Sequence, residues 1–298
     1  MENFKPLPDY VMRDGKAVIT HFSNSQLIKP QGLWAFEMLK LGDRRKTIPF
    51  GIPAEAGGAI HDAVQEILIN ADNIFIDQVI ERAKERVKNH TPISEVDGLK
   101  RDYLYEFVDR YIDNGIQACE EAVGIDIMNG VAELPIIYEP VGLDIPIIGY
   151  CDIVTDYHVI ELKTKSPRAG PLRKDGSRNI TPTKLPETPD WSHLTQVALY
   201  SAATGKKPIL IYFNEEGYRI FSEENCQAMR FDSLRDHLGM LLQRAVVRQN
   251  LLKISTDPDV LVNYLDFDFG DFRWNIGSEL LSEAKDWVYG RFQQGGKQ

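Results

Sequence analysis

Cysteine is scarce in this chain. The 298 residues hold three, Cys119, Cys151 and Cys226, widely spaced. Three scattered thiols give no disulfide framework and exclude a four-thiolate cluster within one chain, which fits a reducing compartment. Long apolar runs are missing too: none approaches the roughly 18 residues needed for a membrane span. The opening stretch, MENFKPLPDYVMRDGK, has no signal-peptide pattern. Positive charge is the minority sign, with 34 Lys and Arg against 44 Asp and Glu and a net charge of −10. That balance argues against a protein that coats nucleic acid nonspecifically, though a local basic patch remains compatible with it. Internal repeats and low-complexity tracts are absent, and only Gln293 to Gln298 looks disordered. The expectation is a cytoplasmic chain with no membrane partner.

The informative stretch is GYCDIVTDYHVIELKTK, residues 149–165. Ile147 to Val154 and His158 to Leu162 are apolar and rich in β-formers, and Thr155, Asp156 and Tyr157 fit only a short turn between them. With Asp156 and Tyr157 as a two-residue loop, Thr155 faces His158 and Asp152 falls opposite Glu161. Side chains alternate along a strand, so Lys163 shares the face of Glu161 while Ile160 and Leu162 point into a core. Two facing carboxylates repel unless a cation lies between them. Hard oxygen ligands at that spacing suit Mg²⁺ or Mn²⁺, and a lysine beside such an ion can orient a water or stabilise charge on phosphorus. The implied chemistry is metal-assisted phosphodiester hydrolysis. A surface hairpin with a solvated Asp…Glu-x-Lys face is the alternative reading.

A long loop then leads to PDWSHLTQVALYSAATGKK, a predicted helix with Thr188 as N-cap, Pro189 at the first position and Gly205 as the stop. Gln196 and Tyr200 share one face, with His193 a turn earlier. The loop carries Lys163, Lys165, Arg168, Arg173, Lys174, Arg178 and Lys184 against one acid, Asp175. Its Gly, Pro, Ser and Thr content predicts a loop rather than helix or strand. Such a basic segment could hold DNA phosphates or merely solubilise the surface. Arg44, Arg45 and Lys46 form a second, weaker basic cluster.

Gly149-x-x-Asp152, Glu161-x-Lys163 and Gln196-x-x-x-Tyr200, in that order, resemble the PD-(D/E)XK nuclease superfamily, in its RecB-like exonuclease branch of phage and CRISPR-associated type. GGAIHDAVQEIL is similar to that branch's Gly-x-x-His helix, with Gly58 and His61 matching. SNSQL, residues 23–27, resembles the Ser-x-Ser-x-Leu that opens such domains. The likeness covers most of residues 20–213. Cys151 replaces the family's proline before the first aspartate. Pro30 stands near where the first cysteine of iron–sulfur relatives would fall, so no iron–sulfur cluster is implied.

The resemblance implies an Mg²⁺- or Mn²⁺-dependent DNA exonuclease acting in recombination, repair or phage DNA processing. Asp152, Glu161 and the Leu162 carbonyl would hold the metal, and Lys163 would position or activate the attacking water. His61, with Glu133 as a further candidate, would complete a second metal position. Gln196 and Tyr200 would orient the phosphate or the water. DNA would lie along Lys165, Arg168, Arg173, Lys174, Arg178 and Lys184, with a single-strand-annealing or recombination protein as a candidate partner. The setting implied is a bacterial cytoplasm, or a host's if the chain is phage-encoded. An endonuclease of the same fold and a non-catalytic DNA-binding protein are the alternatives. For His61 and Glu133 there is a second reading, a partly buried core histidine and an exposed strand carboxylate.

Elsewhere the pattern predicts helices over 24–41 (ended by Gly42), 54–69, 73–89 and 97–123. Ile60, Val64, Ile67 and Leu68 form the apolar stripe of the second. A strand follows over 131–140. Further strands are predicted over 207–213 and 218–222 around an Asn214–Gly217 turn. Helix is predicted over most of 223–252, with a loop from Ser255 and a closing helix over 277–290. The fold class expected is α/β, a mixed central β-sheet flanked by helices with a restriction-endonuclease-like core and helical additions. The expected organisation is one nuclease domain over 1–298, with its core at 130–222, a helical part over 20–128 and another over 223–290.

Overall fold

Alternating apolar strands and amphipathic helices give a mixed α/β architecture in a computed structural model, which describes residues 10–13, 16–70 and 75–294. The chain divides into two compact units. One comprises residues 50–136 and 150–238, and the other residues 1–49, 137–149 and 239–298.

In the second of these, β1 (Tyr10–Arg13) and β2 (Lys16–Ile19) pair antiparallel. The helix expected over 24–41 is broken. Ser23 caps a single turn, α1 (Asn24–Leu27), and Pro30, which has no N–H to donate, forces a restart as α2 (Gln31–Ala35). A π-helical turn, Phe36–Leu41, follows and stops at Gly42, whose φ of 55° suits glycine. Leu33, Phe36 and Leu41 pack with Trp274, Ile276 and Ala284. Buried Arg248 donates through Nη1 to the Gln26 carbonyl (2.5 Å) and through Nη2 to that of Lys29 (2.8 Å), with its guanidinium 4.9 Å from the Trp34 ring. It thus adds a donor to the Gln26 carbonyl, which already accepts from the Lys29 N–H, and supplies one to the Lys29 carbonyl just beyond α1.

The other unit opens with three helices, α3 (Ile52–Asn70), α4 (Ile76–Asn89) and α5 (Glu95–Val123). Residues 73 and 74 of the helix expected over 73–89 lie outside the described residues. The central sheet contains β3 (Val131–Tyr138), β4 (Ile147–Val154) and β5 (His158–Thr164). The basic segment that follows is not wholly loop. It folds back as a minimal antiparallel hairpin, β6 (Arg168–Ala169) with β7 (Ile180–Thr181). Two-residue strands are too short to show a period in sequence. Then come α6 (Trp191–Thr204), β8 (Lys207–Asn214) and β9 (Gly217–Phe221). The Asn214 side chain closes the β8–β9 turn by accepting from the N–H of Glu216 and of Gly217. The chain then forms α7 (Phe231–Ile254), while the single turn α8 (Pro258–Leu261) and α9 (Ser278–Gln294) belong to the unit of β1 and β2. Gln293 and Gln294 are therefore helical, and the rest of the expected tail lies outside the described residues.

The sheet order is β3-β4-β5-β8-β9, antiparallel at β4/β5 and β8/β9 and parallel at β5/β8. The β5–α6–β8 passage is the crossover that a parallel pair requires. Alternation sorts the side chains. Ile160, Leu162, Ile209, Ile211 and Phe213 pack with α3 and α5, including the stripe Ile60, Val64, Ile67 and Leu68. Leu210 and Tyr212 face α6, against Leu194, Val197 and Ala198. Each fully buried aliphatic of this kind contributes about 1.5–3 kcal/mol. Among the described residues no helix is long and apolar enough to cross a membrane.

Candidate active site

Thr155 donates its N–H to the His158 carbonyl (2.9 Å), and the register continues through Val154↔Val159 and Ile153↔Ile160. The same register sets Asp152 opposite Glu161, as expected. One step on, the Leu162 N–H donates to Asp152 Oδ2 at 2.6 Å, so a side chain takes the place of a main-chain rung. The Lys165 N–H donates to the Phe213 carbonyl (2.8 Å), so odd-numbered residues of β5 direct their main-chain groups at β8. N–H and C=O of one strand residue leave by the same edge. The Leu162 carbonyl therefore faces β4, on the edge where the Asp152 carboxylate lies.

Glu161 is 2% exposed. Lys163 Nζ donates to Glu161 Oε1 and, at 3.1 Å, to Gln196 Oε1. Gln196 Nε2 donates to the Tyr200 hydroxyl at 2.9 Å. This chain of hydrogen bonds brings Glu161, Lys163, Gln196 and Tyr200 together on the α6 side of the sheet. The cap of α6 is Asp190, not Thr188: its carboxylate accepts from the Ser192 N–H (2.8 Å), a stronger cap sited two residues later. Gly205 ends the helix at φ 69°, as expected.

From the opposite layer, α3 brings His61 Nδ1 to 3.9 Å from Asp152 Oδ2, too far for a hydrogen bond. Burial, then the Lys163 charge, pushes the His61 pKa down to about 3, so the ring is neutral and the contact is no ion pair. Within α3, Gly57 sits against β5: a Cβ there would lie 3.1 Å from Thr164 Oγ1. Gly58, the motif glycine, stands beside Arg86.

Glu133 is an exposed residue of β3 with φ of 50°, a left-handed conformation that costs a non-glycine residue about 1–3 kcal/mol. Gln65 holds it: its Nε2 donates to Glu133 Oε1 and to the Asp152 carbonyl, each at 3.0 Å. Sequence reasoning missed Gln65. It stands four residues after His61 on α3, and that spacing is the signal that could have found it.

Burial raises both the Glu161 and the Asp152 carboxyl pKa. For Glu161 the neighbouring Asp152 charge adds to the rise, and for both Lys163 opposes it. Glu133 is exposed as a residue, but its carboxyl end is partly enclosed against Gln65, and that enclosure, aided by Asp152, raises its pKa. Within this site Glu161 Oε2 and His61 Nε2 are buried polar atoms without a hydrogen-bond partner among the described residues. An unsatisfied carboxylate oxygen beside a second carboxylate and a carbonyl edge is a donor set that fits a hard divalent ion keeping several waters. Among the described residues no group of three or more His, Cys, Asp or Glu could hold an ion by side chains alone. The four expected ligands do not gather: Lys163 neutralises Glu161, the Leu162 N–H ties Asp152, and Gln65 draws Glu133 aside.

The basic residues of the 163–184 segment do not act as one set. Lys165 lies 4.6 Å over the Tyr212 ring, and burial lowers its pKa. Arg168 donates to Thr181 Oγ1 (3.2 Å), Arg178 to the Gly170 carbonyl (3.1 Å) and Lys184 to Glu187 (2.7 Å). Arg173 and Lys174 are exposed. The second cluster is also committed in part: Arg44 pairs with Glu283 at 2.7 Å.

No family model and no curated protein matches the chain. Four solved chains do. One, named "Putative exonuclease", from Eubacterium rectale, is 13% identical, with a TM-score of 0.44 over 78% of this chain and 82% of its own. The crystal structure of SSO0001 is 16% identical, with a TM-score of 0.26 over 67% of this chain and 96% of its own.

Proposed function

We propose that the chain is an Mg²⁺- or Mn²⁺-dependent deoxyribonuclease that hydrolyses phosphodiester bonds, working as an exonuclease in DNA recombination, repair or phage DNA processing. The observation that carries the reading is the Asp152–Glu161–Lys163 constellation, with Glu161 buried, the other two half-buried, and an unsatisfied Glu161 oxygen beside the Leu162 carbonyl edge. Like charges confined in this way are costly, and a fold keeps them where a cation and a phosphate are to be received. Asp152, Glu161 and the Leu162 carbonyl would hold the ion, and neutral His61, whose Nδ1 lies 3.9 Å from Asp152 Oδ2, would complete a second position. When bound, such an ion supplies Lewis-acid stabilisation to charge developing on the phosphoryl oxygens.

The chain's own groups do the rest. Lys163 holds a proton beside Glu161 and can hand charge stabilisation to the oxygens of the phosphate under attack. Gln196 fixes the Lys163 ammonium through Oε1 and is itself fixed by Tyr200, so the lysine is positioned before substrate arrives. Arg173 and Lys174 are the cations of the neighbouring hairpin best exposed to phosphates, and DNA is the proposed partner.

End-labelled linear DNA and a covalently closed circle, each with EDTA, Mg²⁺ or Mn²⁺, test the reading. The expected result is metal-dependent release of label from linear DNA, with the circle spared. Cleavage of the circle would move the assignment to an endonuclease of the same fold. No cleavage in either metal would leave a DNA-binding protein.

A further inference from the structure

Beside Lys163 lies a group of side chains that the hydrolytic reading does not use. Tyr212 is the β8 partner of Lys163 in the parallel register and is fully buried. Its hydroxyl accepts from the Asp190 N–H (3.1 Å) and lies 2.6 Å from His193 Nδ1. Burial pushes the Tyr212 pKa up to about 12, so the hydroxyl keeps its proton and needs an acceptor. His193 Nδ1 is that acceptor, because burial and the Lys163 charge push the His193 pKa down to about 3 and leave the ring neutral. The remaining imidazole proton is then on Nε2. Tyr212 thus fixes both the tautomer and the tilt of His193, as a partner on one ring nitrogen does for the other. Lys165 packs on the same tyrosine ring, at 4.6 Å. Lys165 shares the sheet face of Lys163 two residues on, about 6.5–7 Å along the strand. The carboxylate facing this group is that of Asp190, whose Oδ1 already accepts from Ser192.

We infer that Lys165 and His193 form a subsite for the phosphate next to the one being cleaved, so that the substrate strand is read as two successive phosphates rather than one. The inference rests on the nuclease reading above. Lys163 and Lys165 stand two residues apart on one face of the strand, so a second cation follows the first along a line that a nucleic-acid strand can take. A cation and a neutral N–H donor, both braced by one buried tyrosine, supply charge and direction for a phosphate oxygen. The phosphate could be an internal diester or the monoester at a strand end.

The test is a substrate–variant cycle on a short oligonucleotide in Mg²⁺ or Mn²⁺. One substrate series carries a neutral methylphosphonate at the linkage on the 5′ or the 3′ side of the cut. A second series has or lacks a terminal phosphate on the end nucleotide. For the wild type, neutralising one flank is expected to raise KM about ten- to a hundredfold, the worth of one charge-assisted hydrogen bond. Sensitivity to the terminal phosphate instead of the internal linkage would identify the monoester as the ligand. Lys165→Met and His193→Phe are expected to start with the raised KM and to lose most of that discrimination. His193→Gln, which keeps an N–H donor, should recover part of it. The wild-type arm needs no variant to fold. Cleavage with no discrimination at either flank or at the terminus overturns this inference alone, as do variants that retain full discrimination. A wild type that cleaves no oligonucleotide overturns the nuclease reading with it.

Discussion

Replacing Lys163 with Met keeps most of the side-chain volume and removes the cation that neutralises Glu161. Glu161 is 2% exposed and its Oε2 is already unsatisfied, with Asp152 on the neighbouring strand. Breaking a buried pair by deleting one partner costs about 3–5 kcal/mol, a large part of the roughly 5–15 kcal/mol that holds a domain folded. The penalty depends on pH with a definite sign. Both carboxyl pKa values are raised in the folded protein, so the folded state binds more protons than the unfolded one. Stability therefore falls as pH rises from the unfolded carboxylate value, about 4, through the folded values. Without Lys163 those values rise further. The difference between wild type and Lys163→Met should then be largest in mild alkali and shrink steadily towards pH 5. Urea unfolding between pH 5 and 9 in EDTA measures it, with Lys163→Met/Glu161→Gln as the second variant. The double variant should recover most of the loss and flatten the pH dependence. A Lys163→Met penalty that is constant across that range and unrelieved by Glu161→Gln would refute the idea that this lysine balances a buried carboxylate pair.

Asp152→Asn retains an acceptor for the Leu162 N–H, so it should fold, yet lose metal-dependent cleavage and most of the stabilisation by Mn²⁺. For the wild type that stabilisation should reach about 2.7 kcal/mol at a hundred times Kd, read as a rise in the melting midpoint. Changing Arg173 and Lys174 together to Ala should weaken DNA binding and reduce the salt slope by about 0.7–0.9 for each phosphate no longer neutralised. An unchanged slope would leave them as solvated charges. Adding Arg178→Ala should also loosen the hairpin, because that guanidinium holds the Gly170 carbonyl. The folded His61 pKa lies below its unfolded value, so His61 withdraws stability as pH falls from about 6.5 towards 3. His61→Asn should make the urea midpoint less sensitive over that interval, and an identical pH slope in both proteins would contradict its burial as a neutral ring.

The hairpin of β4 and β5 was legible because a period of two and a very short turn fix a register, and the register alone sets Asp152 against Glu161. Gln196 and Tyr200 were legible for the corresponding reason on a helix. Gln65 and Tyr212 were not, since each takes its meaning from a partner distant in sequence: Gln65 from Glu133, and Tyr212 from His193; the Asp190 cap was a local signal, two residues before Ser192, that Thr188-Pro189 obscured. Composition named the 163–184 segment a loop, and only tertiary pairing makes residues 168–169 and 180–181 strands. The break at Pro30 was available in the sequence, but the apolar periodicity on either side of it masked the interruption. The left-handed backbone of Glu133 has no local signature, because neighbouring structure imposes it.

Arg248 has a consequence for how the protein comes into being on the ribosome. Its guanidinium closes on the carbonyl of Gln26, 222 residues earlier in the chain. At about 5–20 residues per second, that partner is made roughly 10–45 seconds after the turn it completes. For that interval the Leu27 and Lys29 carbonyls of the nascent segment around Ser23 to Lys29, which also receive the Arg248 guanidinium, must stay in water or on a chaperone. Pulse proteolysis of stalled nascent chains should therefore find this segment open until residue 248 has cleared the exit tunnel.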